Sequence, residues 1–184
     1  MQPHGGFAVG FLKPTIIGNV FLGFNKMNKQ KGITDMGVKF DRLVYGGDYN
    51  PDQWLEYPDI LEEDIRLMKK AHVNTVSLGI FAWAKLEPQE GVYDFEWLDR
   101  ILDTLWSHGI RVCMATPTTA QPAWMSHKYP EVLPVDIQGR RRTHGMRVFF
   151  CHNSPKYRER AAAIAEAMAS RYQHHPALAG WHIA

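Results

Sequence analysis

The sequence predicts an α/β fold built on a parallel sheet. Four short apolar runs are separated by stretches in which apolar residues recur at helical spacing, and this alternation of strand and helix is typical of parallel sheets. The chain has 184 residues, of which 45% are hydrophobic, so it can bury a sizeable core, and one domain is the default count. We therefore expect the functional site just beyond the carboxyl ends of the strands, where such folds place their chemistry.

The first strand is predicted over Leu43–Asn50, where Gly46 and Gly47 indicate a close backbone approach or a bulge. Pro51 ends this strand. The segment that follows, Pro58–His72, predicts an amphipathic helix that covers the sheet, with its apolar face formed by Leu61, Ile65 and Met68.

The second strand is predicted over Asn74–Phe81 and is followed by a loop, Ala82–Pro88. Asp94 is the expected N-cap of the second helix. Gly109 stands where a helix often ends in a left-handed residue. The buried stripe of this helix is predicted to be Leu98, Ile101, Leu102 and Leu105.

The third strand is predicted over Arg111–Pro117, and a long irregular segment, Thr118–Asn153, comes after it. A connection of this length inside a compact domain is usually functional. Ser154 is the expected cap of a third helix that ends near Tyr172. Leu178–Ala184 forms the predicted fourth strand, so the order is strand, helix, strand, helix, strand, helix, strand.

Residues 1–37 lack sustained periodicity and form a predicted leader, whereas residues 38–184 carry the patterned fold. The apolar stretch in this leader contains Lys13, Pro14 and Asn19, which makes it a poor signal peptide and a poor membrane span. Patterning begins at Lys39. We therefore hypothesise a mis-called start, with Met36 as the natural first residue, and N-terminal sequencing of the natural product would test this hypothesis.

Composition argues against an electrostatically driven nucleic-acid partner, because 21 basic residues face 19 acidic ones and the net charge is +2. The one dense basic cluster, residues 140–142, follows Gly139, and this pattern favours a solvated loop tip over a phosphate contact. Cys113 and Cys151 lie far apart in the sequence without metal-ligand spacing. They therefore predict neither a disulfide framework nor a complete metal site, and they fit a reducing, cytoplasmic setting.

Four sequence blocks carry a resemblance to a known family: residues 45–54 (YGGDYNPDQW), 81–88 (FAWAKLEP), 91–95 (GVYDF) and 180–183 (GWHI). Together they resemble the start of the family 42 glycoside hydrolases, the β-galactosidases, over Lys39–Ala184. The resemblance implies a (β/α)8 TIM barrel, of which this chain supplies the first half, since a whole barrel takes about 250 residues.

The same resemblance implies a retaining enzyme that hydrolyses terminal non-reducing β-D-galactosides, uses no cofactor in its chemistry and assembles as a homotrimer. In the family, an Asn-Glu pair directly after the fourth strand supplies the acid/base, and a Glu at a later strand is the nucleophile. Neither Glu is found in these 184 residues. Because retention needs two carboxyl groups about 5 Å apart, we expect this chain alone to be inactive.

Three substrate-binding residues and one metal ligand are candidates. By resemblance, Arg147 helps to bind galactose, and the alternative is a loop salt bridge. Tyr49 and Trp83 follow strands and could stack on a sugar, or equally pack the loops. Cys151 matches the first of four zinc-binding cysteines of some family members; without the other three, a free thiol is favoured.

Other chemistry remains open at this point. Asp48 and Glu87 lie near strand ends, where a hydrogen-bonded loop carboxylate is the favoured interpretation over a catalytic acid. Another retaining β-glycosidase or an arabinosidase of the same barrel superfamily is one alternative function. A non-catalytic half barrel that binds sugar or a partner protein through the loop holding Trp124 and Arg147 is the other.

Overall fold

The strands form one parallel sheet, as the sequence predicts. The computed structural model describes residues 42–145 and 147–184, and the predicted leader, residues 1–37, lies outside them. The four strands pair in chain order, each parallel to the next. They are β1 (Asp48–Tyr49), β2 (Thr75–Leu78), β3 (Arg111–Ala115) and β4 (Leu178–His182).

Helices connect the strands in the predicted alternation. They are α1 (Pro58–Lys70), α2 (Trp83–Leu86), α3 (Glu96–Ser107), α4 (Ala123–Lys128) and α5 (Pro155–Tyr172). Short 3₁₀ turns cover Pro51–Gln53, Pro117–Thr119 and Pro130–Val132. The segment predicted to be irregular after β3 therefore contains α4 and two 3₁₀ turns, which are too short to show a helical period in the sequence.

The sheet has one covered face and one half-exposed face. Val76, Leu78, Val112 and Met114 belong to the buried core cluster together with residues of α1, α3 and α5. The alternate positions Ser77, Cys113 and Gly180, which are aligned across the sheet, are half-buried. Successive side chains of a strand point to opposite faces. The helices therefore cover one face of the sheet and leave the other half-exposed.

The first strand is shorter than predicted. Only Asp48 and Tyr49 pair regularly with β2, although the Tyr45 carbonyl already accepts the Thr75 N–H at 3.3 Å. The predicted close approach is confirmed at Gly46, where an added Cβ would collide with the carbonyl oxygen of Thr75, while the space around Gly47 is open.

Two of the three predicted helix signals are confirmed, and one is wrong. The Ser154 Oγ accepts the Tyr157 N–H at 3.3 Å as the N-cap of α5, and Gly109 takes a φ of +76° after α3. The N-cap of α3 is Phe95 and not Asp94. Asp94 lies one position before the cap, and its carboxylate accepts a hydrogen bond from the Glu96 N–H at 3.3 Å. It therefore supports the start of the helix without occupying the cap.

Across residues 42–145 and 147–184, the structure contains no helix with the length and apolar character that crossing a membrane would require.

Candidate functional site

The carboxyl ends of the four strands meet at one edge of the sheet, and polar contacts join them there. Ser77 of β2 and His182 of β4 lie on the half-exposed face, with the Ser77 Oγ 2.8 Å from the His182 Nδ1. Because β3 lies between these strands, this contact reaches across it. The polar pair therefore marks the face of the sheet that points away from the helices.

The exits of β3 and β4 are tied together by hydrogen bonds. The Thr116 N–H donates to the His182 carbonyl at 2.8 Å, and the Ala184 N–H donates to the Thr116 Oγ1 at 3.0 Å. The Thr118 hydroxyl donates to the Ala184 carbonyl. The backbone that leaves β4 is consequently fixed to the turn that follows β3.

Arg147 lies at this same edge. Its guanidinium carbon is 4.9 Å from the centre of the Phe81 ring, which follows β2, and its side chain is exposed. The next residue, Val148, has a φ of +54°, a strained conformation for a β-branched residue. A hydrogen bond of 3.1 Å from the Val148 N–H to the Thr119 carbonyl holds it. Arg147 is thus open to a ligand, and its role in sugar binding remains a prediction.

Tyr49 and Trp83 are buried in the structure. The Tyr49 hydroxyl donates to the Asp64 Oδ2 of α1 at 3.0 Å, and burial raises the pKa of Tyr49 above its ordinary value. Trp83 has no exposed surface, and its ring lies 6.1 Å from that of Tyr157 in α5. The structure thus places the Tyr49 hydroxyl against α1 and the Trp83 ring against α5. Their contact with sugar remains a prediction.

Glu87 is a fully buried carboxylate with several partners. It accepts the Trp83 Nε1 at 2.7 Å and the Gly91 N–H at 2.8 Å, and it forms an ion pair with Arg160. Its carbonyl accepts the Trp124 Nε1 at 2.8 Å. Glu87 therefore joins the loop after β2 to α4 and α5, as a hydrogen-bonded loop carboxylate.

Arg160 is the residue that the sequence reasoning missed. It follows Tyr157 by three positions and precedes Ile164 by four, and both of those residues are buried on one face of α5. The sequence signal that could have identified Arg160 is a charged residue within the apolar stripe of a helix. Its guanidinium also lies 4.0 Å from the Glu90 carboxylate, which accepts the Tyr129 hydroxyl. The Glu87–Arg160 ion pair thus extends through Glu90 and Tyr129 into a network between the segment after α2 and the end of α4.

A second buried carboxylate follows β1. Asp52 is 9% exposed, and burial raises its pKa, while the charge of Lys85 opposes that rise. Within the part of the chain that the structure describes, the Asp52 Oδ1 and the Asn50 Oδ1 have no hydrogen-bond partner. The turn after β1 therefore holds two acceptor oxygens without a donor.

Cys151 does not belong to a metal site made by the described residues alone. Its N–H donates to the Val132 carbonyl at 2.7 Å, and its thiol is half-buried and free. Residues 42–145 and 147–184 contain no group of three His, Cys, Asp or Glu side chains able to hold a metal ion. Any zinc at Cys151 would need ligands from other residues.

The family model Glyco_hydro_42, described as β-galactosidase, matches residues 48–184. Among curated proteins, β-galactosidase BglY of Alicyclobacillus acidocaldarius is 55% identical over 141 residues, which are 77% of this chain and 20% of BglY. β-Galactosidase GanA of Bacillus subtilis is 56% identical over 141 residues, covering 77% of this chain and 21% of GanA. The chain therefore spans about a fifth of the length of these relatives.

Solved structures of the same family have the same fold. Gan42B, a GH42 β-galactosidase from G. stearothermophilus, has a TM-score of 0.74 and 54% identity and covers 76% of this chain and 20% of its own. The cold-adapted β-galactosidase from Rahnella sp. R3 has a TM-score of 0.77 and 49% identity, covering 79% and 22%. The described sheet and helices correspond to the N-terminal part of these TIM barrels.

Proposed function

Because the chain belongs to the Glyco_hydro_42 family of β-galactosidases, we propose that it forms the first four strands of the catalytic barrel of a retaining enzyme. The substrates would be terminal non-reducing β-D-galactosides. The match of the family model over residues 48–184 carries this proposal. The geometry supports it, because the strand exits, the Ser77–His182 contact and Arg147 lie at the edge where barrel enzymes bind substrate.

Arg147 is the proposed galactose-binding residue within these 184 residues. Its guanidinium carries five N–H donors in a rigid fork that suits the hydroxyl groups of a sugar. The Phe81 ring beneath it and the constrained backbone at Val148 limit where this fork can point. The arginine would therefore bind the sugar at low cost in side-chain entropy.

The two catalytic carboxyl groups, the acid/base and the nucleophile, would come from residues other than the acidic side chains described at this edge. Retention requires one carboxyl group to protonate the leaving oxygen and a second, about 5 Å away, to attack the anomeric carbon. Glu87 cannot take either role, because its carboxylate oxygens already accept hydrogen bonds from the Trp83 Nε1 and the Gly91 N–H and form an ion pair with Arg160. We accordingly propose that a polypeptide of these 184 residues releases no galactose.

The experiment compares hydrolysis of aryl β-D-galactoside, β-D-glucoside and α-L-arabinoside by the whole product of the natural gene. We expect preference for the galactoside and retention at the anomeric carbon, observed by NMR. Preference for another glycoside would overturn the substrate assignment. The relatives reported above are all named β-galactosidases, so neither the other barrel glycosidases nor a non-catalytic binding role is better supported.

The role of Arg147 is tested in that whole enzyme by Arg147→Lys, with Arg140→Lys as the matched change elsewhere in the same loop. We expect Arg147→Lys to raise KM at least tenfold, roughly the loss of one charge-assisted hydrogen bond. Equal KM values for the two variants would show that Arg147 does not bind the substrate. Galactose release by the 184-residue polypeptide, above a mock preparation, would contradict the proposed inactivity.

We propose the remaining assignments from family likeness and from the composition of the chain. The whole protein would be a cytoplasmic homotrimer that uses no cofactor in its chemistry and binds neither nucleic acid nor membrane. Cys151 would be one ligand of a structural zinc. Sedimentation velocity measures the assembly, and metal analysis of the whole protein and its Cys151→Ser variant measures zinc; equal zinc content in both would exclude Cys151 as a ligand.

A further inference from the structure

A cavity of about 440 Å³, open to solvent over most of its boundary, lies between α4 and the segment after it. Ser126 and His127 contribute one wall from α4, and Arg141, Arg142, Thr143 and His144 contribute the other. Its volume is within the range of cavities that hold small ligands. The cavity is separate from the contacts of Arg147 and Glu87 described above.

The lining combines a largely apolar surface with several residues that carry cationic or hydroxyl side chains. Its residues include two arginines, two histidines, Ser126 and Thr143 beside the apolar Ala123 and Leu133, and none of the described residues that line it is Asp or Glu. The Ser126 hydroxyl contacts the His144 Nδ1 at 2.9 Å, which links the two walls. Arginine donors in a planar fork are well suited to bind oxyanions.

The arginines stand on an ordered turn. Val135 and Arg141 form an antiparallel bridge, and the Asp136 Oδ1 accepts the N–H groups of Gln138 and Arg140 at 3.0 and 2.9 Å. The Asp136 Oδ2 lies 3.1 Å from the Arg140 Nε but 4.0 Å from the Arg142 Nε. Asp136 therefore pairs more closely with Arg140 than with Arg142.

Arg141 is positioned in advance of any ligand. Its Nη1 donates to the carbonyls of Pro130 and Leu133 at 3.0 and 2.8 Å, so these two bonds use one of its three nitrogens. A guanidinium has five N–H groups, and these two bonds do not use those on Nε and Nη2. Positioning of this kind reduces the entropy that binding costs.

We propose that this cavity binds an oxyanion, either free phosphate or the acidic group of a small sugar acid. Residues 140–142 are all exposed, as expected of a solvated loop tip, and the proposal adds a ligand for Arg141 and Arg142. This inference goes beyond the proposed function and does not rest on it, because binding is measured without turnover.

The test titrates the whole product of the natural gene with inorganic phosphate at constant ionic strength and measures binding by isothermal titration calorimetry. We expect saturable binding that Arg142→Gln weakens about tenfold, the usual effect of one charge-assisted hydrogen bond. The control is Arg140→Gln, which removes the same charge beside Asp136 but outside the cavity, and it should change affinity less than about twofold.

Competition identifies the source of the anion. Displacement of phosphate by galacturonate but not by neutral galactose supports a sugar acid, and displacement by neither supports free phosphate. Absence of saturable phosphate binding, an equal effect of the two arginine variants, or displacement by galactose would each overturn the proposal. Thermal melting of both variants verifies that they are folded.

Discussion

At the scale of single residues, the ion pair between Glu87 and Arg160 is the most buried charge interaction in the described structure. Glu87 has no exposed surface and the Arg160 side chain is 12% exposed. Removal of one partner leaves the other charge buried without compensation, whereas the intact pair gains little over an apolar replacement. The pair matters because Glu87 also accepts a hydrogen bond from Trp124 of α4 through its backbone carbonyl.

We predict that Glu87→Gln lowers the free energy of unfolding by about 3 kcal/mol, the usual result of breaking a buried pair. Chemical denaturation followed by circular dichroism measures the change. The matched control is Glu63→Gln, which breaks an exposed pair with Arg66 and should leave stability nearly unchanged. Similar losses of unfolding free energy in the two variants would mean that burial does not determine how much breaking an ion pair destabilises the protein.

Asp52 gives a pH dependence of stability with a defined sign. Burial raises its pKa above the ordinary value of 3.8, so the folded state favours the protonated form. Its contribution to stability is complete below that value and is lost as the pH rises through the folded pKa. We predict that Asp52→Asn stabilises the protein more at neutral pH than at acid pH, because the amide stays neutral.

Denaturation at several pH values measures this difference, and Asp99→Asn is the control of opposite sign. The hydrogen bond from Arg171 lowers the pKa of Asp99, so its stabilising effect is present above the ordinary value and is lost as the pH falls through the folded pKa. Asp99→Asn should therefore destabilise at neutral pH. A pH-independent effect of Asp52→Asn would show that its carboxylate is not desolvated.

At the scale of elements, the approach of the chain before β1 to the start of β2 depends on Gly46. We predict that Gly46→Ala destabilises the protein by at least about 2 kcal/mol, because its Cβ would collide with the Thr75 backbone and force a shift. Gly47→Ala adds the same methyl group in open space and should be far milder. Thermal melting compares the two variants, and equal melting temperatures would contradict a close approach at Gly46.

The longest helix, α5, depends on its N-cap. Ser154 is 5% exposed and accepts the Tyr157 N–H. We predict that Ser154→Ala lowers the free energy of unfolding by about 1 kcal/mol. Ser170→Ala makes the same change at an exposed position inside this helix and should be neutral or slightly stabilising. If denaturation gave Ser170→Ala the larger loss, the capping role would be wrong.

At the scale of the whole molecule, the described sheet has open edges at β1 and β4 and one half-exposed face. Parallel sheets are normally covered on both faces, and unpaired edges favour association. We predict that the 184-residue polypeptide self-associates in solution, which sedimentation velocity at several concentrations would detect. A monomer that melts cooperatively would contradict this prediction.

The sequence by itself determined the α/β alternation, the approximate strands and helices, and the Ser154 and Gly109 signals, because periodicity and capping are local properties of the chain. It also determined the family, since the matching blocks are read directly from residue order.

Only the tertiary structure decided which charged side chains meet. Arg160 lies 73 positions from Glu87, and no local pattern specifies their pairing. The burial of Tyr49 and Trp83 likewise depends on how elements pack, because burial arises between segments distant in sequence.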